Sequence, residues 1–367
     1  MEFLTDWEMS KKRFAAWWQN QMIDRPVVRL SCRREKPRWP LRALPADFWK
    51  CRKRYLDPQC AVDAMENALA ETEYFGDCPP QCGRGLNTGY LGSFAGAQLE
   101  IRKTVWIEPT VQRWADAAVP AFDPEAPLFR QILAVSDALA ENSKGRYLLA
   151  TPDHLDAVTT MSQMQGPENL CLALFDDPED VYTYREKLVK VWLESYDFWR
   201  DYDRKKGFEG TANWAGAFST GRSGVLQSDF SAMISPGMFE DLVKPELVAE
   251  GRHLDYTLYH WDGPGQIPHT DILLGMPEVT ALQWVPGAGN PDTVAFPGPV
   301  LRAQAAGKPV QLHCDINQLD AVVEIFEPRG VMLTVTMGSS GRLSDPPGAC
   351  RAAMKKIEAW ASKARGV

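Results

Sequence analysis

Apolar and polar positions in the last third of the chain follow two alternating rhythms. Short apolar runs at 256–261, 279–285, 309–313 and 331–336 are each followed by a segment whose apolar residues recur near the helical period, at about 269–275, 296–306, 317–327 and 346–363. Four strands alternating with four helices predict a parallel sheet, because parallel neighbours need a crossover between them. Upstream, further strands are expected at 27–31, 147–151, 210–214 and 225–230, with an edge strand at 104–107. Helices are expected from Thr5 or Asp6 to about Met22, over 46–74 with a break at Pro58, and at 128–142, 177–205 and 235–254. About eight strands in this order favour an α/β fold of the closed (β/α)8 TIM-barrel type over an open doubly wound sheet. The whole chain, 1–367, reads as one such domain, with residues 1–75 as an N-terminal helical extension and first strand. No GxGxxG follows a first strand and no GxxxxGK[ST] occurs, which removes the main support for a nucleotide-binding sheet.

In a barrel of this kind the chemistry sits at the carboxyl ends of the strands and in the loops after them. Reading off those ends gives Asp153 and His154, Asn213 and Trp214, Gln227 and Asp229, His260 and Asp262, Gln283 and Trp284, His313 and Cys314, and then Met337 and Ser339. These are the candidate substrate-binding and catalytic positions. Within YHWDGPG, His260 and Asp262 are two apart, so on a continuing strand they share a face. Three readings stand for the pair: ligands to zinc or another divalent ion, an imidazole and carboxylate working in acid/base chemistry, or a hydrogen-bonded pair shaping the Gly263-Pro264-Gly265 turn. His313 and Cys314 are adjacent, so alternation sends only one of them to that face. There is no GxSxG elbow for a nucleophilic serine.

Composition narrows the partners. A hydrophobic content of 45% suits a large core, and a net charge of −8 leaves no basic footprint for nucleic acid. No segment has the roughly 18 continuous apolar residues of a membrane span, and MEFLTDWEMSKKRF lacks the apolar run of a signal peptide, so a cytoplasmic protein is expected. The eight cysteines are scattered and read as reduced thiols; Cys78 and Cys82 form a CxxxC pair, a minimal metal signal.

The segments SDFSAMISPGMFEDLVKPEL, YHWDGPG and TVTMGSSG resemble the uroporphyrinogen decarboxylase superfamily, which includes cobalamin-dependent methyltransferases that pass a methyl group to a thiol. The resemblance spans most of the chain and is strongest from about residue 225. It implies a (β/α)8 barrel, with YHWDGPG in the place of the methyltransferases' His-x-Cys-Gly and Met337 in the place of their last zinc-binding Cys. His260 is then retained and Asp262 replaces a thiolate. Asp77 in YFGDCPP stands where the decarboxylases keep a pocket aspartate, while their arginine motif is absent in its usual form around Arg29, Arg33 and Arg34. The implied activity is methyl or one-carbon transfer to or from a corrinoid or thiol, with methylcobalamin as co-substrate, zinc as a candidate metal, a corrinoid protein as a partner and a homodimer as a common assembly. A decarboxylase-like lyase acting on a small carboxylate and a non-catalytic ligand-binding barrel are the alternatives.

Overall fold

A computed structural model describes residues 1–287, 289–290, 293–338 and 345–365. Helix α1 (Trp7–Trp18) starts where Asp6 accepts a hydrogen bond from the Met9 amide, and it buries Phe14, Trp17 and Trp18. Strand β1 (Val27–Arg33) follows, and a second strand, β2 (Thr72–Gly76), runs back along it in antiparallel register. That reversal replaces the end of the helix expected to reach residue 74: the helix Pro58–Glu71 stops where Thr72, Tyr74 and Phe75 favour extended backbone. The later strands are β3 (Ser223–Gln227), β4 (Tyr256–Asp262), β5 (Ala281–Val285), β6 (Val310–Asp315) and β7 (Val331–Thr336). They assemble with the first two in the order β2-β1-β7-β6-β5-β4-β3, parallel throughout except at β2.

The architecture is therefore a mixed α/β fold with a parallel central sheet, and among the described residues strand pairing does not close it into the expected eight-stranded ring. The missing segments pair only briefly. Gln81–Cys82 pairs with Leu148–Leu149, Thr211–Ala212 pairs with Phe218–Ser219, and one bridge joins Ala150 to Ala212. Pro79, Pro80 and Pro152 flank the first of these ladders and the bridge, and each removes an amide donor that a longer ladder would need. The strand at 104–107 is found as Val105–Glu108, paired with Gln98–Ile101 away from the main sheet.

Alternation along the strands divides the core in two. Val28, Leu30, Leu226, Tyr259, Trp261, Leu282, Trp284, Leu312, Leu333 and Val335 face the helices in the larger hydrophobic cluster. On the opposite face Val27, Leu258, Ala281 and Met332 join Leu148 and Ala212 from the short ladders, and α1 covers them with Phe14, Trp17 and Trp18. The indole of Trp17 donates to Val310 O and that of Trp18 to Phe218 O, so α1 is pinned across the amino-terminal end of the strands. Full burial of each such aromatic contributes roughly 1.5–3 kcal/mol. With that end plugged, the inner face is left to polar residues at the carboxyl ends.

Behind the sheet, a π-helical turn at Phe239–Val243 leads into helix Lys244–Arg252. Pro245 cannot donate to the carbonyl four residues back, and the Arg185 guanidinium donates instead to Asp241 O and Leu242 O. This helix carries Glu246 and Glu250 into the interior near Asp156, and each of the three carboxyls is 1% exposed. Burial raises all three; Asp156 reaches about 7 and adds to the rise at both glutamates, which Arg185 offsets in part at Glu246. Because these values lie above the unfolded values of about 4, the folded chain holds more protons, and its stability falls as pH rises from about 4 through 7 and beyond. Glu246→Gln is expected to stabilise the fold by about 1–3 kcal/mol near pH 8 and to have little effect near pH 4, as read by urea unfolding. Equal effects at both pH values would contradict this account.

Candidate functional site

The inner face carries two successive layers. Below lies the apolar set of Val27, Leu258, Ala281 and Met332; one step toward the carboxyl ends lie Arg29, Gln227, His260, Gln283 and Thr334, with Gln311 and His313 from β6. The register makes neighbours of them: Gln227 faces His260, His260 faces Gln283, Gln283 faces Gln311, and Thr334 stands between His313 and Arg29. A row of polar residues at successive parallel strands is thus a direct product of period-two alternation.

His260, Asp262 and Asp229 form the centre. One ligand atom from each lies within 4.8 Å of the others, a spacing at which a single cation could be shared. β4 delivers His260 and Asp262, and Asp229 opens the short helical turn Asp229–Met233 after β3. The strand stops at Gly263, whose φ of +79° is the left-handed region, and its amide donates to Val285 O at 2.8 Å. A Cβ on Gly265 would lie 2.8 Å from the Ala232 Cβ, so this turn packs against the loop that carries Asp229 only because the position is glycine.

The surroundings fix the centre's members. His260 Nδ1 lies 2.5 Å from Gln283 Oε1, and the Trp214 ring meets the imidazole edge-on at 5.2 Å. Gln227 donates to Asp153 Oδ1 at 2.7 Å, and the Leu155 amide reaches the same oxygen from a left-handed φ of +58°. Burial raises the Asp153 carboxyl, with Gln227, the Leu155 amide and His260 pulling it back. Asp229 stands at the rim with its carboxyl raised, by burial first and by Asp262 and Asp153 in addition, while His260 opposes them. Burial, reinforced by Arg29 and His260, pushes the His313 imidazole down to about 4. The arrangement combines ligands for a cation, a carboxyl disposed to hold a proton, and a neutral imidazole.

Asp153, Trp214, Gln227, Asp229, His260, Asp262, Gln283 and His313 are therefore brought together. Three other expected site residues are not. Asp77 sits at the amino-terminal end of β1, where it accepts hydrogen bonds from Ser10, Arg13, Arg25 and the Val28 amide and is fully buried. Because β2 is antiparallel, the residue after it arrives at the end of the sheet opposite the centre. The His154 side chain turns into the aromatic core, against Ser195 Oγ, Tyr90 and Trp192, and burial pushes it down to about 3. Trp284 is adjacent to Gln283 on one strand and so takes the outer face, packing on Trp261 and Phe296.

Met337 packs against Cys350. Its sulfur lies 3.4 Å from the Cys350 thiol, and Asp229 is the third member of the group instead. Ser339 lies outside the described residues. Cys78 and Cys82 are free thiols raised by burial to about 12 and about 11, a poor state for metal binding. Arg29, Gln311 and Thr334 were missing from the strand-end reading; the signal that finds them is a polar residue two positions from a known inner-face residue, as Gln311 is from His313.

No family model and no curated protein sequence matches the chain. A solved structure of a methyltransferase from Methanosarcina mazei superposes on 95% of this chain and 98% of that one, with a TM-score of 0.59 and 12% sequence identity. The likeness is one of fold. No helix among the described residues is long and apolar enough to cross a membrane.

Proposed function

We propose that the chain is an enzyme of methyl or one-carbon transfer, with a thiol or a corrinoid as the exchange partner, and with Asp229, His260 and Asp262 at the reacting centre. The observation that carries the proposal is the convergence of these three groups within 4.8 Å at the carboxyl ends of the sheet. The fold shared with a methyltransferase supports it, and so does the motif resemblance to the uroporphyrinogen decarboxylase superfamily. We also read the sheet and the short ladders as one incomplete (β/α)8-type barrel; the inner cluster that joins β1, β4, β5 and β7 to Leu148 and Ala212 supports that reading.

The donor set suits a divalent cation. One imidazole and two carboxylates offer nitrogen and oxygen ligands, a harder set than one built on thiolates, and their two negative charges balance a 2+ ion. Zinc is one candidate. When bound there, the ion would supply Lewis-acid activation of a thiol or hydroxyl acceptor. The residues of the chain do the rest. Gln283 orients His260 through Nδ1, Trp214 packs edge-on against the imidazole, and Asp153, held by Gln227, would take the proton that the acceptor gives up. A methylated corrinoid, free or protein-bound, would approach from the open rim near Asp229.

A second reading is favoured by the combination of a raised Asp153 carboxyl and the half-buried Arg29 on the same inner face: a lyase that protonates a small substrate after loss of a carboxylate. One pair of assays separates the two. Thiol-dependent demethylation of methylcobalamin, lost in Asp262→Asn, is expected for the transferase; carbon dioxide release from small carboxylates without any demethylation would replace it with the lyase. Absence of both activities would leave a binding protein.

A further inference from the structure

The geometry points to a positioning relay, Gln311 to Gln283, that sets which nitrogen of His260 carries its proton. The relay deepens the transferase proposal and rests on His260 acting at the centre. Its anchor is a backbone carbonyl. Gln311 Nε2 lies 2.9 Å from Ala215 O and 3.0 Å from Thr334 Oγ1. A carbonyl oxygen only accepts, so the amide of Gln311 cannot be reversed without setting two oxygens against each other. Its Oε1 must therefore face Gln283, whose Nε2 donates to it at 3.0 Å.

The same constraint then passes along the row. With its nitrogen committed to Gln311, Gln283 presents Oε1 to His260 Nδ1, at 2.5 Å. That nitrogen must carry a hydrogen, and the Nε2 lone pair is left for a ligand or a proton. His313 corroborates this orientation from the other side. Its Nε2 lies 3.2 Å from Gln283 Nε2 and can only accept from it, which requires a neutral His313 with its own proton on Nδ1. Burial of His313 between Arg29 and His260 favours that neutral form. Both amides and both imidazoles thus have one mutually consistent arrangement, and it is dictated by Ala215 O.

Gln283 touches His260, but Gln311 lies one residue further off and acts only through Gln283, so both are positioning residues. Outer partners that fix a ligating histidine are typically worth about 10–100-fold in metal affinity. The carbonyl itself is held by local structure. The loop 213–217 is fastened by hydrogen bonds from the Ala217 amide to Asn213 Oδ1 and from Arg29 to Ala215 O. Gly216, with φ +93°, lets the chain pass Arg29, whose Nη1 would lie 2.9 Å from a Cβ at that position.

The chain contains only five histidines, so nitrogen NMR of histidine-labelled protein at about pH 8, above the ordinary imidazole range, can read each tautomer directly. In the wild type without added metal, His260 is expected as the Nδ1–H form. Gln311→Met removes the anchor and is expected to give mixed tautomers at His260, with zinc affinity about 10–100-fold weaker. Thr334→Val, which leaves the carbonyl anchor intact, is expected to retain the wild-type form. An Nε2–H form in the wild type would overturn the relay, as would a Gln311→Met spectrum unchanged at His260. Should Gln311→Met fail to fold, Gln311→Asn, too short to span the gap, gives the same readout. Because the tautomer is read without metal or substrate, a correct tautomer in a protein that binds no metal supports the relay while sinking the metal reading.

Discussion

His260→Ala is expected to fold as the wild type does and to lose transfer activity by well over 100-fold. His260 is on the strand, but its imidazole lies on the polar side of β4, above Leu258, while the strand's apolar contacts are made by Leu258, Tyr259 and Trp261. Truncation therefore removes little core packing. Its chemical cost is larger than that of an outer partner, for which about 10–100-fold is typical, because the imidazole nitrogen of the centre disappears. Asp229 would also lose the imidazole that opposes the rise of its carboxyl, with Asp262 still beside it. The measurement is turnover in thiol-dependent demethylation of methylcobalamin, with urea unfolding as the control for folding. Activity within a few-fold of wild type would remove His260 from the chemistry.

The second large effect is one of stability. Asp77→Ala is expected to destabilise the fold by about 3–5 kcal/mol, the usual cost of removing one partner from a buried ion-pair network. Asp77 has no exposed side-chain surface, and Arg25 and Arg13 beside it are 8% and 13% exposed, so the guanidinium groups would be stranded with little solvent to replace the carboxylate. The Val28 amide would lose its partner as well. Arg13 keeps its second contact to Asp24, which limits the loss on that side. Urea unfolding of the variant against the wild type gives the difference. Metal affinity of the folded variant should be unchanged, since Asp77 lies at the opposite end of the sheet; an unstable variant with normal binding identifies a structural aspartate, and a stable variant with impaired function would restore it to the site.

The two residues illustrate which parts of the molecule could be read from sequence. The alternation Leu258, His260, Asp262 against Tyr259, Trp261 is local, and it survives in the fold because β4 has parallel neighbours on both sides. The same rule puts Gln227, Gln283 and His313 on the inner face, and applied strictly it excludes Trp284 and admits Gln311. Asp77 went astray for a non-local reason. Its position depends on β2 running antiparallel to β1, a pairing that no pattern within YFGDCPP encodes. His154 leaves the site for a different reason: it and Asp153 follow Pro152 outside any strand, where alternation says nothing about which of the two turns inward, and Asp153 is the one that meets Gln227. The parallel sheet was legible from the spacing of its last four strands, whereas ring closure depended on segments whose ladders are two residues long, one of them flanked by Pro79, Pro80 and Pro152. Asp229 as partner to His260 and Asp262 comes from the way two loops meet across Gly265 and Ala232, a contact between distant segments.

Titration of cobalt(II) or zinc(II) into the purified chain tests most directly whether Asp229, His260 and Asp262 act as one centre. One equivalent is expected to bind, with affinity weakened at least about 100-fold in His260→Ala and in Asp262→Asn and unaltered in Trp284→Phe. No binding, or binding that persists undiminished in both ligand variants, would contradict it.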